Sequence, residues 1–199
     1  MKDVVIVGNG HVDSAQAKAI AGAQWVVRFN DCRSATGGDT RTDVVAVCNT
    51  GRPARAMLGS HAWRTNPAVS NASEIWCVRD PVRFTAIRPL LATLHPELED
   101  LCDDYTDGFR RYCSENGKRC LLITQETHHR VDQALRRIGA APYIVPSSGM
   151  IVIESVLERF SETAVSIAGF GHEGWHHHPF ASEKRLVDQY VSAGRLTRI

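Results

Sequence analysis

The stretch Gly169-Phe170-Gly171-His172-Glu173-Gly174-Trp175-His176-His177-His178-Pro179-Phe180 places four of the chain's nine histidines within seven residues. Imidazole is the side chain most readily set as acid or base near neutral pH, so this density on a glycine-rich loop points to chemistry before packing. Two chemistries fit. In the first, His178 is a general base and Glu183, at the start of a helical segment, orients or polarises it. In the second, His172, His176 and His178 ligate zinc or nickel, which neutral imidazole suits. Gly174 and Pro179 interrupt the helix that would stack residues 172 and 176, and no cysteine lies nearby, which favours the first. His177 reads as a plain histidine, solvent-exposed or bonded to backbone groups.

A second group of residues has the inventory of a nucleotide site. Asn9 lies between Gly8 and Gly10 after the first apolar run, and Asn30 follows Arg28 at the end of the next. An asparagine amide offers donors and an acceptor, which suits base edges and ribose hydroxyls. Ser147 and Ser148, ahead of Gly149, stand where a helix is expected to begin, and hydroxyls beside free N–H groups there suit a phosphate. Taken singly, each also reads as a turn former or an N-cap. A dinucleotide cofactor is not expected, because the third glycine of a G-x-G-x-x-G fingerprint would fall at Asp13.

The elements that must position these residues alternate between strand and helix. Val4 to Val7, Trp25 to Phe29, Asp43 to Cys48, Glu74 to Val78, Arg119 to Thr124 and Ala164 to Phe170 read as strands. Helices are expected over Val12 to Ile20, Thr85 to Leu94, Pro96 to Asn116, Gln125 to Gly139, Ser148 to Phe160 and Ala181 to Ala193. Buried runs alternating with helices predict an α/β fold: a mostly parallel twisted sheet with helices on both faces, Rossmann-like, in one domain spanning 1–199. The aperiodic region 53–96 is expected to be an irregular excursion that shapes an acceptor site. The Ser34 to Thr40 loop reads either as ordinary surface or as substrate-facing.

Composition narrows the partners. With 23 basic and 22 acidic residues interspersed, the formal charge is +1, so neither nucleic acid nor an anionic membrane is expected as a partner. No apolar run approaches the ~18 residues of a membrane span, and the first strand begins too early for a signal peptide. Six cysteines without a C-x-x-C pair read as reduced thiols, which predicts a cytoplasmic protein.

Together the motifs resemble the eukaryotic-type sialyltransferase family, inverting glycosyltransferases that use CMP-sialic acid. Val5-Ile6-Val7-Gly8-Asn9-Gly10 with Arg28-Phe29-Asn30 and Asp43 resembles the large sialyl motif. Pro146-Ser147-Ser148-Gly149-Met150 with Gly169-Phe170-Gly171 resembles the small motif, and His178-Pro179-Phe180-Ala181-Ser182-Glu183 the very small H-x4-E motif. The resemblance implies a CMP-sugar donor held by Asn9, Asn30, Ser147, Ser148 and Gly149. It makes His178 the base that activates an unknown acceptor hydroxyl, and His176 or His172 a donor to the departing phosphate. It implies no metal or other cofactor. The family's disulfide between its large and small motifs has no counterpart, since no cysteine follows Cys120. Small bacterial proteins of this kind also carry the label of urease-operon accessory protein. The alternatives are therefore a His-rich protein handling nickel or zinc, and a degenerate nucleotide-binding module.

Overall fold

In the computed structural model, which describes residues 3–35 and 40–199, seven strands form one sheet. They are β1 (Asp3–Val7), β2 (Trp25–Phe29), β3 (Val44–Val47), β4 (Glu74–Cys77), β5 (Arg119–Leu122), β6 (Ala164–Ala168) and β7 (Thr197–Arg198). Their order is β5-β4-β3-β2-β1-β6-β7, and every neighbouring pair is parallel. The expected α/β architecture is thus observed, parallel throughout.

The continuous apolar runs of the central strands follow from a sheet covered on both sides. All of Val44–Val47 is buried, as are Val4 to Val7. Alternation sends Val4, Ile6, Val27 and Phe29 to one face, against α7 (Gln125–Arg137), α8 (Ser148–Arg159) and α9 (Phe180–Ser192). Val5, Val7 and Val26 face the other way, against Ile20 of α1 (Ser14–Gly22). On that same side lie α2 (Gly51–Gly59), α3 (His61–Thr65), α4 (Pro67–Asn71) and α6 (Thr106–Glu115), which pack on Val45, Val47 and Ile75. A further cluster of Phe84, Leu91, Cys102 and Val145 joins α5 (Pro81–Leu94) and the 3-10 turn Pro96–Cys102 to the segment before α8.

Strand order reverses between β1 and β6. The first five strands advance in one direction, and the chain then returns past β1 to lay down β6 and β7. Connections leaving adjacent strands toward opposite faces open a crevice beyond the carboxyl ends of those strands. The loop after β1 and the loop after β6, where the glycines and histidines lie, border it together.

Two expectations are corrected. The region 53–96 is not irregular: it carries most of α2, then α3, α4, β4 and α5, with Ser60 and Asn66 capping the two short helices through bonds from the N–H groups of Trp63 at 3.1 Å and Ala68 at 2.9 Å. The helix expected from Pro96 to Asn116 breaks into the 3-10 turn and α6, because Asn49 draws Tyr105 N–H to its carbonyl at 2.9 Å. The two-residue β7 was not anticipated at all. Of the Ser34 to Thr40 loop, residues 36–39 lie outside the described residues. Among the described residues all six cysteines are free thiols, and no helix is long and apolar enough to cross a membrane.

Candidate functional site

The crevice at the β1/β6 reversal encloses a cavity of about 520 Å³. Its wall begins with two loops locked backbone to backbone: Gly8 N–H donates to Ala168 O at 2.8 Å and Gly10 N–H to Gly169 O at 2.9 Å. A Cβ at Gly8 would lie 2.3 Å from Gly169 O, and one at Gly10 would lie 2.7 Å from it. The Gly-Asn-Gly signal is therefore required by loop packing in its own right, before any ligand is considered.

The opposite wall is the start of α8. Ser147 is its N-cap, and Ser147 Oγ accepts from Met150 N–H at 3.2 Å. Ser147 is itself clamped from α9: its N–H donates to Glu183 Oε1 at 2.7 Å and its Oγ–H to Glu183 Oε2 at 2.6 Å. Burial raises the Glu183 carboxyl above its ordinary range, opposed by the two Ser147 bonds and by Arg79. The N–H groups of Ser148 and Gly149, in the first turn, have no intrahelical acceptor, and both residues line the cavity.

His178 lines the same cavity. Its Nδ1 lies 2.8 Å from Val145 O, and since a carbonyl only accepts, Nδ1 carries the proton and Nε2 is left as an acceptor. Burial, with Arg79 nearby, lowers its pKa to about 4, so the ring is neutral at physiological pH. The expected pairing of His178 with Glu183 is corrected here: Val145 O orients the imidazole, while both Glu183 oxygens are engaged by Ser147.

Of the residues singled out from sequence, Gly8, Asn9, Gly10, Asn30, Ser147, Ser148, Gly149, His172, His178 and Glu183 meet around this cavity. Asn9 Oδ1 accepts from Arg33 N–H at 3.2 Å and Asn30 Oδ1 from Cys48 N–H at 2.8 Å, so each amide spends its oxygen on backbone. His172 adopts a left-handed backbone at φ 51°, and burial lowers its pKa. Two residues do not belong. Arg28 is fully buried away from the cavity, where it donates to Arg41 O at 3.1 Å and Ser34 Oγ at 2.9 Å, because strand alternation turns it opposite to Phe29. His176 lies outside the lining and packs on the His177 ring, with centroids 3.8 Å apart.

Sequence reasoning missed the apolar part of the lining. Phe29 and Phe170 meet edge to face at 6.0 Å, and Phe170 is held so close to α8 that a Cβ at Gly149 would lie 2.8 Å from its ring. Trp175 and Phe180 flank His178 at 4.8 and 5.4 Å between centroids. Aromatics beside glycines at strand ends were the available signal. The α1 terminus, by contrast, is closed: Asp13 Oδ1 accepts from the N–H groups of Ala15 and Gln16, both at 2.9 Å, and Gln16 Oε1 accepts from Asp13 N–H at 2.9 Å.

No protein-family model matches the chain. Its fold is similar to that in a crystal structure of a mammalian sialyltransferase, with a TM-score of 0.51 at 14% identity, covering 100% of this chain and 68% of that one. Such a likeness concerns the fold alone. In sequence the chain is 48% identical over 198 residues to the urease operon 23 kDa accessory protein of Rhizobium meliloti (strain 1021), covering 98% of this chain and 92% of the relative. That relative overturns the expected activity: the transfer of a sugar from a CMP-sugar with His178 as base, and with it the assignment to the sialyltransferases, is not retained. With nearly half its residues shared over almost its whole length, the chain belongs to the family of the urease operon 23 kDa accessory protein.

Proposed function

We propose that the protein is an accessory factor that binds, without transferring any sugar, a phosphorylated small molecule of nucleoside-monophosphate size in the β1/β6 crevice. The observation that carries this reading is the open first turn of α8, where the N–H groups of Ser148 and Gly149 border a cavity of about 520 Å³. Paired N–H donors at a helix start favour an anion, and the volume falls within the ~300–1,000 Å³ common for small-molecule sites. The phosphate sits on the α8 terminus, a flat ring lies against Phe29 and Phe170, and hydroxyls reach the Asn9 and Asn30 NH2 groups and His178 Nε2. Six free thiols accord with work in the reducing cytoplasm.

Calorimetric titration with a panel of nucleoside monophosphates, sugar phosphates and inorganic phosphate tests the reading. At least one organic phosphate is expected to bind one to one and more tightly than inorganic phosphate. If no member binds at millimolar concentration, the reading is wrong.

A further inference from the structure

Outside the crevice, the same histidine loop presents a second constellation. His95 closes α5, and its Nδ1 lies 3.2 Å from Glu97 Oε1. The His177 ring stands edge-on to the His95 ring, with centroids 5.0 Å apart, and Trp175 backs His177 at 4.8 Å. One ligand atom from each of His95, Glu97 and His177 lies within 4.8 Å of the others. Two segments distant in the chain have thus brought two imidazoles and a carboxylate to one point.

Packing alone accounts poorly for this grouping. His95 and Glu97 are partly or largely open to solvent, where rings gain little by meeting, and three imidazoles counting His176 repel one another whenever they are charged. Neutral imidazole is in contrast a good ligand for such ions. Donors bound at ~2.0–2.2 Å around a tetrahedral ion are about 3.4 Å apart, so side-chain rotation of roughly an ångström closes the set.

We propose that His95, Glu97 and His177 bind one divalent ion of the imidazole-preferring transition metals, such as zinc or nickel, with water completing the shell. Two nitrogens and one carboxylate oxygen suit these ions, whereas calcium and magnesium take oxygen ligands. The bound ion ties the loop of residues 172–178 to the turn after α5. This site shares no ligand with the crevice, since His178 lines the cavity and none of His95, Glu97 and His177 does.

Equilibrium dialysis of the full chain against zinc or nickel, and absorption of the cobalt-loaded protein, test the proposal. One ion per chain is expected, with four-coordinate cobalt bands. His95→Ala and His177→Ala each weaken binding by at least about tenfold, as loss of even outer partners commonly does. Glu97→Gln weakens it less, and His172→Ala leaves it unchanged. Circular dichroism of the metal-free variants, matching the parent, separates ligand loss from misfolding. Absence of binding at micromolar metal overturns the proposal, and so does binding that survives both His95→Ala and His177→Ala or depends on His172. None of these readouts involves a phosphorylated ligand, so the crevice reading stands or falls separately.

Discussion

Two helices, α1 just beyond the Gly8–Gly10 loop and α8 at Ser148, follow residues that line the same crevice and treat their first turns in opposite ways. The α1 terminus is closed by its own sequence: Asp13 places a full negative charge where an anion would sit, and Gln16 completes a reciprocal pair. The α8 terminus is closed only at Met150, by a neutral hydroxyl, and the carboxylate that serves it comes from behind through Ser147. Both helices are capped, yet only α8 keeps its positive end available. In a Rossmann-like sheet the first helix is the customary phosphate site. Here that position is closed locally by Asp13, and the uncapped first-turn N–H groups that border the cavity are those of Ser148 and Gly149 on the wall opposite.

The comparison breaks most completely if the support behind Ser147 is removed. Glu183→Ala strands the buried N–H of Ser147 and empties part of the α8/α9 packing, so a loss of about 3 kcal/mol in urea unfolding is expected. Ligand binding should fall with it, since the α8 first turn is no longer held. A stability change within a few tenths of a kcal/mol would mean that Ser147 finds another acceptor and that the clamp is incidental.

A paired substitution sharpens the contrast between the two termini. Ser148→Asp puts at α8 the charge that α1 already has; affinity for the organic phosphate should drop about tenfold to a hundredfold, with folding stability unchanged or slightly raised. Asp13→Ala should do the reverse, costing about 1 kcal/mol of stability as a lost N-cap while leaving affinity within about twofold. Calorimetry and urea melts on both proteins read the two effects. Equal losses of affinity in the two variants would show that the termini act as one anion site.

How much of this was legible follows physical lines. The central strands could be read because parallel strands covered on both faces need unbroken apolar runs, as in Val4 to Val7 and Val44 to Val47. The glycine turns and the Ser147 cap were legible because their requirements are local. Arg28 was misassigned although strand periodicity contained the answer: a residue alternating with Val27 and Phe29 must face the other side of the sheet. The helices α3 and α4 were hidden because each, at five residues, is too brief to show a period, even though Ser60 and Asn66 announce their starts. Glu183 was recognised as important and given the wrong partner, since its nearness to His178 in sequence says nothing of Ser147 arriving from α8. His95 and Glu97 gave no signal, because only the fold brings them to His177.

The smallest effect tests what kind of clamp Glu183 is. Its carboxyl is held above its ordinary value of 4.5, with burial outweighing the bonds from Ser147 and the nearby Arg79. The folded protein therefore binds this proton more tightly than the unfolded chain, and the residue's contribution to stability is complete below 4.5 and declines as pH rises until the folded carboxyl is ionised. Glu183→Gln carries no such proton, and its amide can still accept from Ser147 N–H while donating to Ser147 Oγ, at a cost of about 1 kcal/mol. The stability of the parent relative to this variant, from urea midpoints at stepped pH, should thus be greatest on the acid side and shrink as pH rises. A difference that widens with pH would reverse the sign: the bonds from Ser147 would then be strong enough to keep the carboxylate ionised, and α8 would be braced by a charge as α1 is, but from behind rather than across its open end.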